Sequence, residues 1–206
     1  MPQPIAIEVD SFHNTIVLRS PNDYEPLGPE WFPTEPQLVN GGPGRLVVHT
    51  GGRGLVRVTV TSTDTPAPPL ADSLLAVWED IAEGSFTIES AELCFDGFSG
   101  EISQPVPHPG PGPCRARVFA RGRTEYWDAY RTPEAQPQIQ LHIQLWPQPI
   151  DSPHLIQHRD RFTGNRVRTV DSTEEKQPTS SPRNMPSLRT ANNCAPVPQP
   201  GPDSVT

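Results

Sequence analysis

Q-I-Q-L-H-I-Q-L-W, residues 138–146, alternates polar and apolar side chains from Gln138 to Leu145. A period of two places Ile139, Leu141, Ile143 and Leu145 on one face of an extended chain. Gln138, Gln140, His142 and Gln144 fall on the other, so the segment reads as a strand with one buried side. G-L-V-R-V-T-V-T-S (54–62) repeats the pattern, with Val56, Val58 and Val60 opposite Arg57, Thr59 and Thr61. C-R-A-R-V-F-A-R-G (114–122) does so again, with Cys114, Ala116, Val118 and Ala120 opposite Arg115, Arg117, Phe119 and Arg121.

Further strand-like runs lie on either side of these. They are I-A-I-E-V-D-S-F-H-N-T-I-V-L-R (5–19), R-L-V-V-H-T (45–50), G-S-F-T-I-E-S (84–90) and A-E-L-C-F-D-G-F (91–98). Gly51-Gly52-Arg53-Gly54 between R-L-V-V-H-T and L-V-R-V-T-V supplies the positive φ of a tight turn, which predicts that these two runs pair as a hairpin. S-L-L-A-V-W-E-D-I-A-E (73–83) is either a short helix capped by Ser73 or a strand with a bend. About seven or eight strands without βαβ alternation predict an all-β chain, an antiparallel β-sandwich over residues 3–150.

Of the 206 residues, 28 are Pro and 15 are Gly, about a fifth of the chain against a usual ~12 %. From Pro147 the alternation dissolves, and residues 151–206, rich in Pro, Ser, Thr and Asn, are expected to form a flexible tail. Such a segment buries too little apolar surface to offset its ordering entropy. No run is long and apolar enough for a membrane helix, and the first residues lack a basic and apolar leader; the expectation is a soluble cytoplasmic protein. Cys94, Cys114 and Cys194 show no C-x-x-C spacing, which points to neither a disulfide framework nor a thiolate metal site.

Residues 1–150 carry 18 acidic and 9 basic side chains, and residues 151–206 carry 6 and 7, so the net charge of −8 arises in the first part. An acidic surface repels nucleic-acid phosphates and draws basic proteins. Fifteen of the 16 basic residues are Arg, a composition expected of a high-GC genome.

Arg115, Arg117, Arg121 and Arg123 form the densest basic cluster of the acidic part. Guanidinium forks on one strand face can grip a phosphate or carboxylate, or else pair across strands with acidic neighbours. Tyr126 and Trp127 add aromatic anchors, and Glu79, Asp80 and Glu83 form an acidic surface for a partner. His154 and His158 would share a face only if a helix formed there. No G-x-S-x-G, H-E-x-x-H or phosphate-loop motif occurs; no catalytic residues, metal ligands or cofactors are indicated.

The run G-P-C-R-A-R-V-F-A-R-G-R (112–123), followed by I-Q-L-H-I-Q-L-W-P-Q-P (139–149), resembles a family of small actinobacterial β-proteins. That family carries R-V-R-V-x-A-R-G-R-D and L-I-Q-L-W-P-A-P signatures. V-W-E-D-I-A-E (77–83) is similar to its W-E-x-V-V-E block, so the likeness spans about residues 5–150. Cys114 stands where that family has an aromatic residue and Thr124 where it has an acid. The strand pattern is also similar to that of the competence protein J group, acidic nuclease inhibitors. The resemblance implies a non-enzymatic protein-binding module, an acidic intracellular inhibitor or immunity-type protein of a basic nuclease or toxin. The rival expectation is an enzyme or binder for a small anionic or sugar ligand on the Arg115, Arg117 and Arg121 face.

Overall fold

A computed structural model describes residues 3–11, 13–23, 25–28, 31, 37–96, 102–126 and 136–159, and the backbone of 166–168. The chain is all-β in character, with two sheets. Among the described residues there are eleven strands and one helix: β1 (Ile5–Ser11), β2 (Thr15–Arg19), β3 (Val39–Gly42), β4 (Arg45–His49), β5 (Gly54–Ser62), α1 (Asp72–Val77), β6 (Asp80–Ile88), β7 (Cys94–Asp96), β8 (Gly112–Arg121), β9 (Ile139–Pro147), β10 (His154–Arg159) and β11 (Arg166–Arg168). One sheet runs β1-β5-β9-β8-β6-β10-β11 and the other β3-β4-β2-β7. The expected seven or eight strands are thus exceeded.

The alternation in β9 is realised as read: Ile139, Leu141, Ile143 and Leu145 are buried. They join Val56, Val58 and Val60 of β5 and Cys114, Ala116, Val118 and Ala120 of β8 in one hydrophobic cluster. Ile16, Leu18, Leu46, Val48 and Phe95 of the second sheet belong to the same cluster. Each such aliphatic side chain contributes about 1.5–3 kcal/mol on full burial. Strands β5 and β9 pair in parallel, Val56 opposite Ile139 through Ser62 opposite Leu145. This corrects the expectation of a wholly antiparallel fold. The long excursion through β6, β7 and β8 supplies the crossover that parallel neighbours need.

The predicted hairpin of 45–50 with 55–60 does not form. β4 pairs with β2 and β3 in one sheet, while β5 pairs with β1 and β9 in the other. Gly51 and Gly54, at φ 81° and 87°, turn the chain between sheets instead of folding it back on itself. β1 and β2 make the same passage through His13 and Asn14, at φ 47° and 61°. The two passages are tied together. Ser11 Oγ and Thr50 Oγ1 lie 2.6 Å apart, and each is within 2.9 Å of the Gly52 carbonyl. The Thr50 amide donates to the Asn14 carbonyl at 2.8 Å.

Residues 73–83 divide between the two forms expected of them. The helix runs from Asp72 with Ala71, not Ser73, as its N-cap, and Trp78 returns to extended backbone before β6 begins. Its six residues are too few to stand without tertiary support. Gln157 provides some, donating from Nε2 to the carbonyls of Leu75 at 3.1 Å and Trp78 at 2.8 Å.

The first sheet continues past residue 150, where the sequence reading had placed the start of the tail. β10 pairs antiparallel with β6, with a register shift between Leu155 and Gln157. A bulge of this kind places two successive apolar residues, Leu155 and Ile156, in a strand and erases the period of two. Of the flexible tail expected over 151–206, residues 160–165 and 169–206 fall outside the described residues.

The two sheets approach closely where β3 crosses β6. A Cβ on Gly41 would stand 2.1 Å from the Ser85 carbonyl oxygen. Gly41→Ala is therefore expected to cost about 1–3 kcal/mol through forced backbone displacement, read as a thermal midpoint several degrees lower than that of the parent protein.

Candidate functional site

The register of β6, β8 and β9 determines what the arginine cluster can do. Arg117 stands opposite Glu83 and Arg115 opposite Ser85 on β6. On the other flank, Arg115 faces Trp146 and Arg117 faces Gln144 of β9. Alternation turns these side chains away from the hydrophobic cluster, yet Arg115 and Arg117 are buried.

Glu83 joins the two arginines. Its Oε2 accepts from Arg115 Nε at 3.1 Å and its Oε1 from Arg117 Nε at 2.7 Å. Arg115 Nη1 donates to Ser85 Oγ at 2.9 Å and to the Asp151 and Ser152 carbonyls at 3.2 and 3.0 Å. Arg117 Nη1 donates to the Pro68 carbonyl at 2.7 Å, and its guanidinium lies 5.5 Å from the centre of a Trp146 ring. The segments around Pro68 and Asp151 thus reach the arginines with backbone oxygens, and carboxylate, hydroxyl and carbonyl groups of the chain itself neutralise the charge.

The other candidates are dispersed. Arg121 is exposed; it donates to Gln140 Oε1 and lies over Trp78 at 5.5 Å. Arg123, beyond the end of β8, is buried against Asp80 in an ion pair. Asp80 Oδ1 also accepts the Arg159 amide at 2.9 Å. Glu79 pairs with Arg159 at 3.3 Å and accepts the Thr124 amide. Tyr126 packs on the core with its hydroxyl 3.3 Å from Gln138 Oε1. Trp127 lies outside the described residues. Glu79, Asp80 and Glu83 all sit in ion pairs within the fold, with side-chain exposures of 14, 5 and 15 %.

Several participants carried no signal of their own in the sequence. Ser85, Trp146 and the carbonyls of Pro68, Asp151 and Ser152 join the arginine network only through strand register and chain path. Aligning 81–87 against 113–119 as antiparallel neighbours would have brought Glu83 to Arg117. A cavity of about 360 Å³ lies beside the same carboxylate, lined by Leu38, Val39, Ala82 and Leu155, with His154 and His158 among its walls. The two histidines stand on strand β10, not on a helix. Among the described residues no group of three or more His, Cys, Asp or Glu could hold a metal ion.

Burial dominates the titration of the remaining reactive groups. The Cys114 thiol is pushed up to about 12, which keeps it protonated and unreactive at neutral pH. His142, stacked on Phe119 at 5.5 Å, has its pKa lowered by burial. His49 is lowered to about 4, first by burial and then by the Arg123 guanidinium.

No family model matches the chain, and no curated protein sequence matches it. Two solved structures are similar to it. One is ComJ, inhibitor of the DNA degrading activity of NucA, from Bacillus subtilis, at TM-score 0.43 and 9 % identity over 70 % of this chain and 96 % of that one. The other is described as crocagin biosynthetic gene J, at TM-score 0.37 and 15 % identity over the same shares of the two chains.

Two stability measurements probe this region. Glu83→Gln leaves two buried guanidinium groups short of their shared carboxylate and is expected to cost about 3–5 kcal/mol in denaturant unfolding, against less than about 1 kcal/mol for Arg121→Ala. His49 is lowered from an ordinary 6.5 to about 4, so below pH 6.5 the unfolded chain takes up a proton that the fold refuses. Stability contributed by this group is therefore present above pH 6.5 and is lost as pH falls towards 4, with a span of roughly 3 kcal/mol. Denaturant titrations of His49→Gln should show a shallower loss over that interval than the parent protein.

Proposed function

We propose that this chain is a non-enzymatic protein-binding module, a β-sandwich whose acidic surface receives a basic protein in the cytoplasm. The class of partner that fits is a nuclease or toxin held by an inhibitor or immunity-type protein. The observation that carries this reading is the fate of the arginines. Arg115, Arg117 and Arg123 are buried in ion pairs, and Arg19 and Arg45 are occupied by Asp96 and by Asp23 and Glu25. By contrast, Asp64, Asp72, Glu89, Glu92, Glu125 and Asp151 are exposed, and none of them enters an ion pair among the described residues.

Five arginines are thus held by carboxylates of the fold, while Arg53, Arg57, Arg121 and Arg159 are exposed beside a larger number of exposed acids. Such a field speeds encounter with a cationic surface and opposes approach to phosphate backbones and anionic lipid. The rival reading, an anionic substrate gripped by the Arg115 and Arg117 face, would have to displace Glu83 and three backbone carbonyls from those guanidinium groups.

The test is capture from host lysate on the immobilised full chain, which retains β10 beside β6, followed by a salt ramp and mass spectrometry. A basic protein released at moderate salt is expected, since exposed charge pairs are screened within about 3 Å at 1 M salt. The same protein should be lost from a chain carrying Asp64→Asn, Asp72→Asn, Glu89→Gln and Glu92→Gln. An empty elution, or retention indifferent to both salt and these substitutions, overturns the reading.

A further inference from the structure

The first sheet ends at β1, and nothing described in the chain covers that edge. β1 pairs with β5 through all seven of its residues, Ile5 opposite Val60 to Ser11 opposite Gly54, without a bulge. Among the described residues no other strand lies beyond it, and no further backbone hydrogen bond reaches Ile5–Ser11. The other edges are short or occupied. β7 is met by the following segment, where Ser103 and Val106 donate to the Phe95 and Leu93 carbonyls at 2.8 Å. β3 has four residues and presses against β6 at Gly41, and β11 has three.

An extended strand edge offers a row of unpaired amides and carbonyls, and proteins commonly guard it with proline, lysine or a bulge. I-A-I-E-V-D-S has no proline, lysine or bulge, and the charges that guard it, Glu8 and Asp10, are both acidic and would repel an acidic strand while admitting a basic one. Its two faces differ in chemistry. Ile5 and Ile7 are only partly buried at the rim of the core, beside buried Val9. On the opposite face stand Ala6, Glu8 and Asp10; Glu8 pairs with Arg57 at 3.1 Å with both side chains half-exposed, and among the described residues Asp10 enters no ion pair.

We propose that β1 is the docking edge for an extended segment of a basic protein, which adds to the first sheet as a further strand. The occupant alternates basic and apolar residues: its apolar side chains continue the cover over Ile5 and Ile7, and its basic ones meet Glu8 and Asp10. Backbone hydrogen bonds supply affinity and the alternating side chains supply selectivity, as in other strand additions. A second copy of this chain fits less well, because self-pairing would crowd the Glu8 and Asp10 carboxylates of both copies along one face. This inference rests on the reading of a basic protein partner and narrows it to one edge.

The test uses the full chain and an N-acetylated, C-amidated peptide of alternating lysine and valine, matched to the seven residues of β1. Amide hydrogen exchange is read residue by residue with and without the peptide. Alternate amides of residues 5–11 are expected to slow at least about tenfold, because the added strand holds only the outward-pointing half. A peptide of alternating glutamate and valine should leave them unchanged, and so should the lysine peptide added to the Glu8→Lys, Asp10→Lys chain. Unaltered slow exchange in β9 verifies that this variant is folded. Absence of protection, protection elsewhere only, protection that survives the charge reversal, or a chain that dimerises through these residues unaided would each overturn the proposal. If the edge fails while a salt-released basic protein still binds the chain, the acidic-surface reading stands and only its location falls.

Discussion

A single carboxylate, Glu83, answers two guanidinium groups buried on the outward face of β8, the central strand of the first sheet. β8 is buried on both faces: Cys114, Ala116 and Val118 face the shared core, and Arg115, Arg117 and Phe119 face the other way, also out of solvent. Two guanidinium groups in such a position are tolerable only if their charge and hydrogen-bonding capacity are answered nearby. Glu83 answers both through separate oxygens, and strand register places it there. The rest of the outer layer is organised around the same demand, since Pro68, Asp151 and Ser152 all bring carbonyl oxygens to these arginines. The chain before α1 and the chain before β10 thus both run within hydrogen-bonding reach of the outward face of β8.

This internal use of arginine has an electrostatic consequence at the surface. A small domain with nine basic residues in its first 150 would ordinarily scatter them among its acids. Here Arg123 pairs with the buried Asp80, and Arg115 and Arg117 pair with the largely covered Glu83, so these three contribute little field outside. Among the described residues Asp64, Asp72, Glu89, Glu92, Glu125 and Asp151 are exposed and enter no ion pair. The stability of β8 therefore rests on charges that are answered within the fold.

The sequence disclosed strands far better than it disclosed their neighbours. β5, β8 and β9 were legible because one face of each is apolar at every second residue, and burial follows that pattern at Val56, Val58, Val60, Ile139, Leu141, Ile143 and Leu145. The 51–54 turn was legible as a turn but not as a passage between sheets, because glycine at positive φ serves a hairpin and a corner equally well. β10 was hidden by its bulge, and the first turn of α1 by a cap that uses no side chain. In the candidate site, the nearness of arginines and acids could be expected, but their burial could not. Polarity on the outward side of a strand signals solvent unless another segment covers it, and the covering segments at 68 and 151–152 have no periodicity to announce them.

The corner between the sheets bears directly on the character of the β1 edge. A terminal strand held only by its neighbour can slip in register or fray, and either motion would spoil it as a template. β1 is held at its far end by Ser11, whose hydroxyl meets Thr50 and the Gly52 carbonyl in a buried cluster. That cluster joins the passage from β1 to β2 with the passage from β4 to β5, so the register against β5 is fixed by both sheets together. Sliding by one residue would also move Val9 out of the core and bring Glu8 or Asp10 into it. The edge, unpaired among the described residues, is thus fixed in register, and a strand pairing with it would meet amides and carbonyls already in line. Much of the ordering entropy that strand addition demands would then fall on the incoming segment alone.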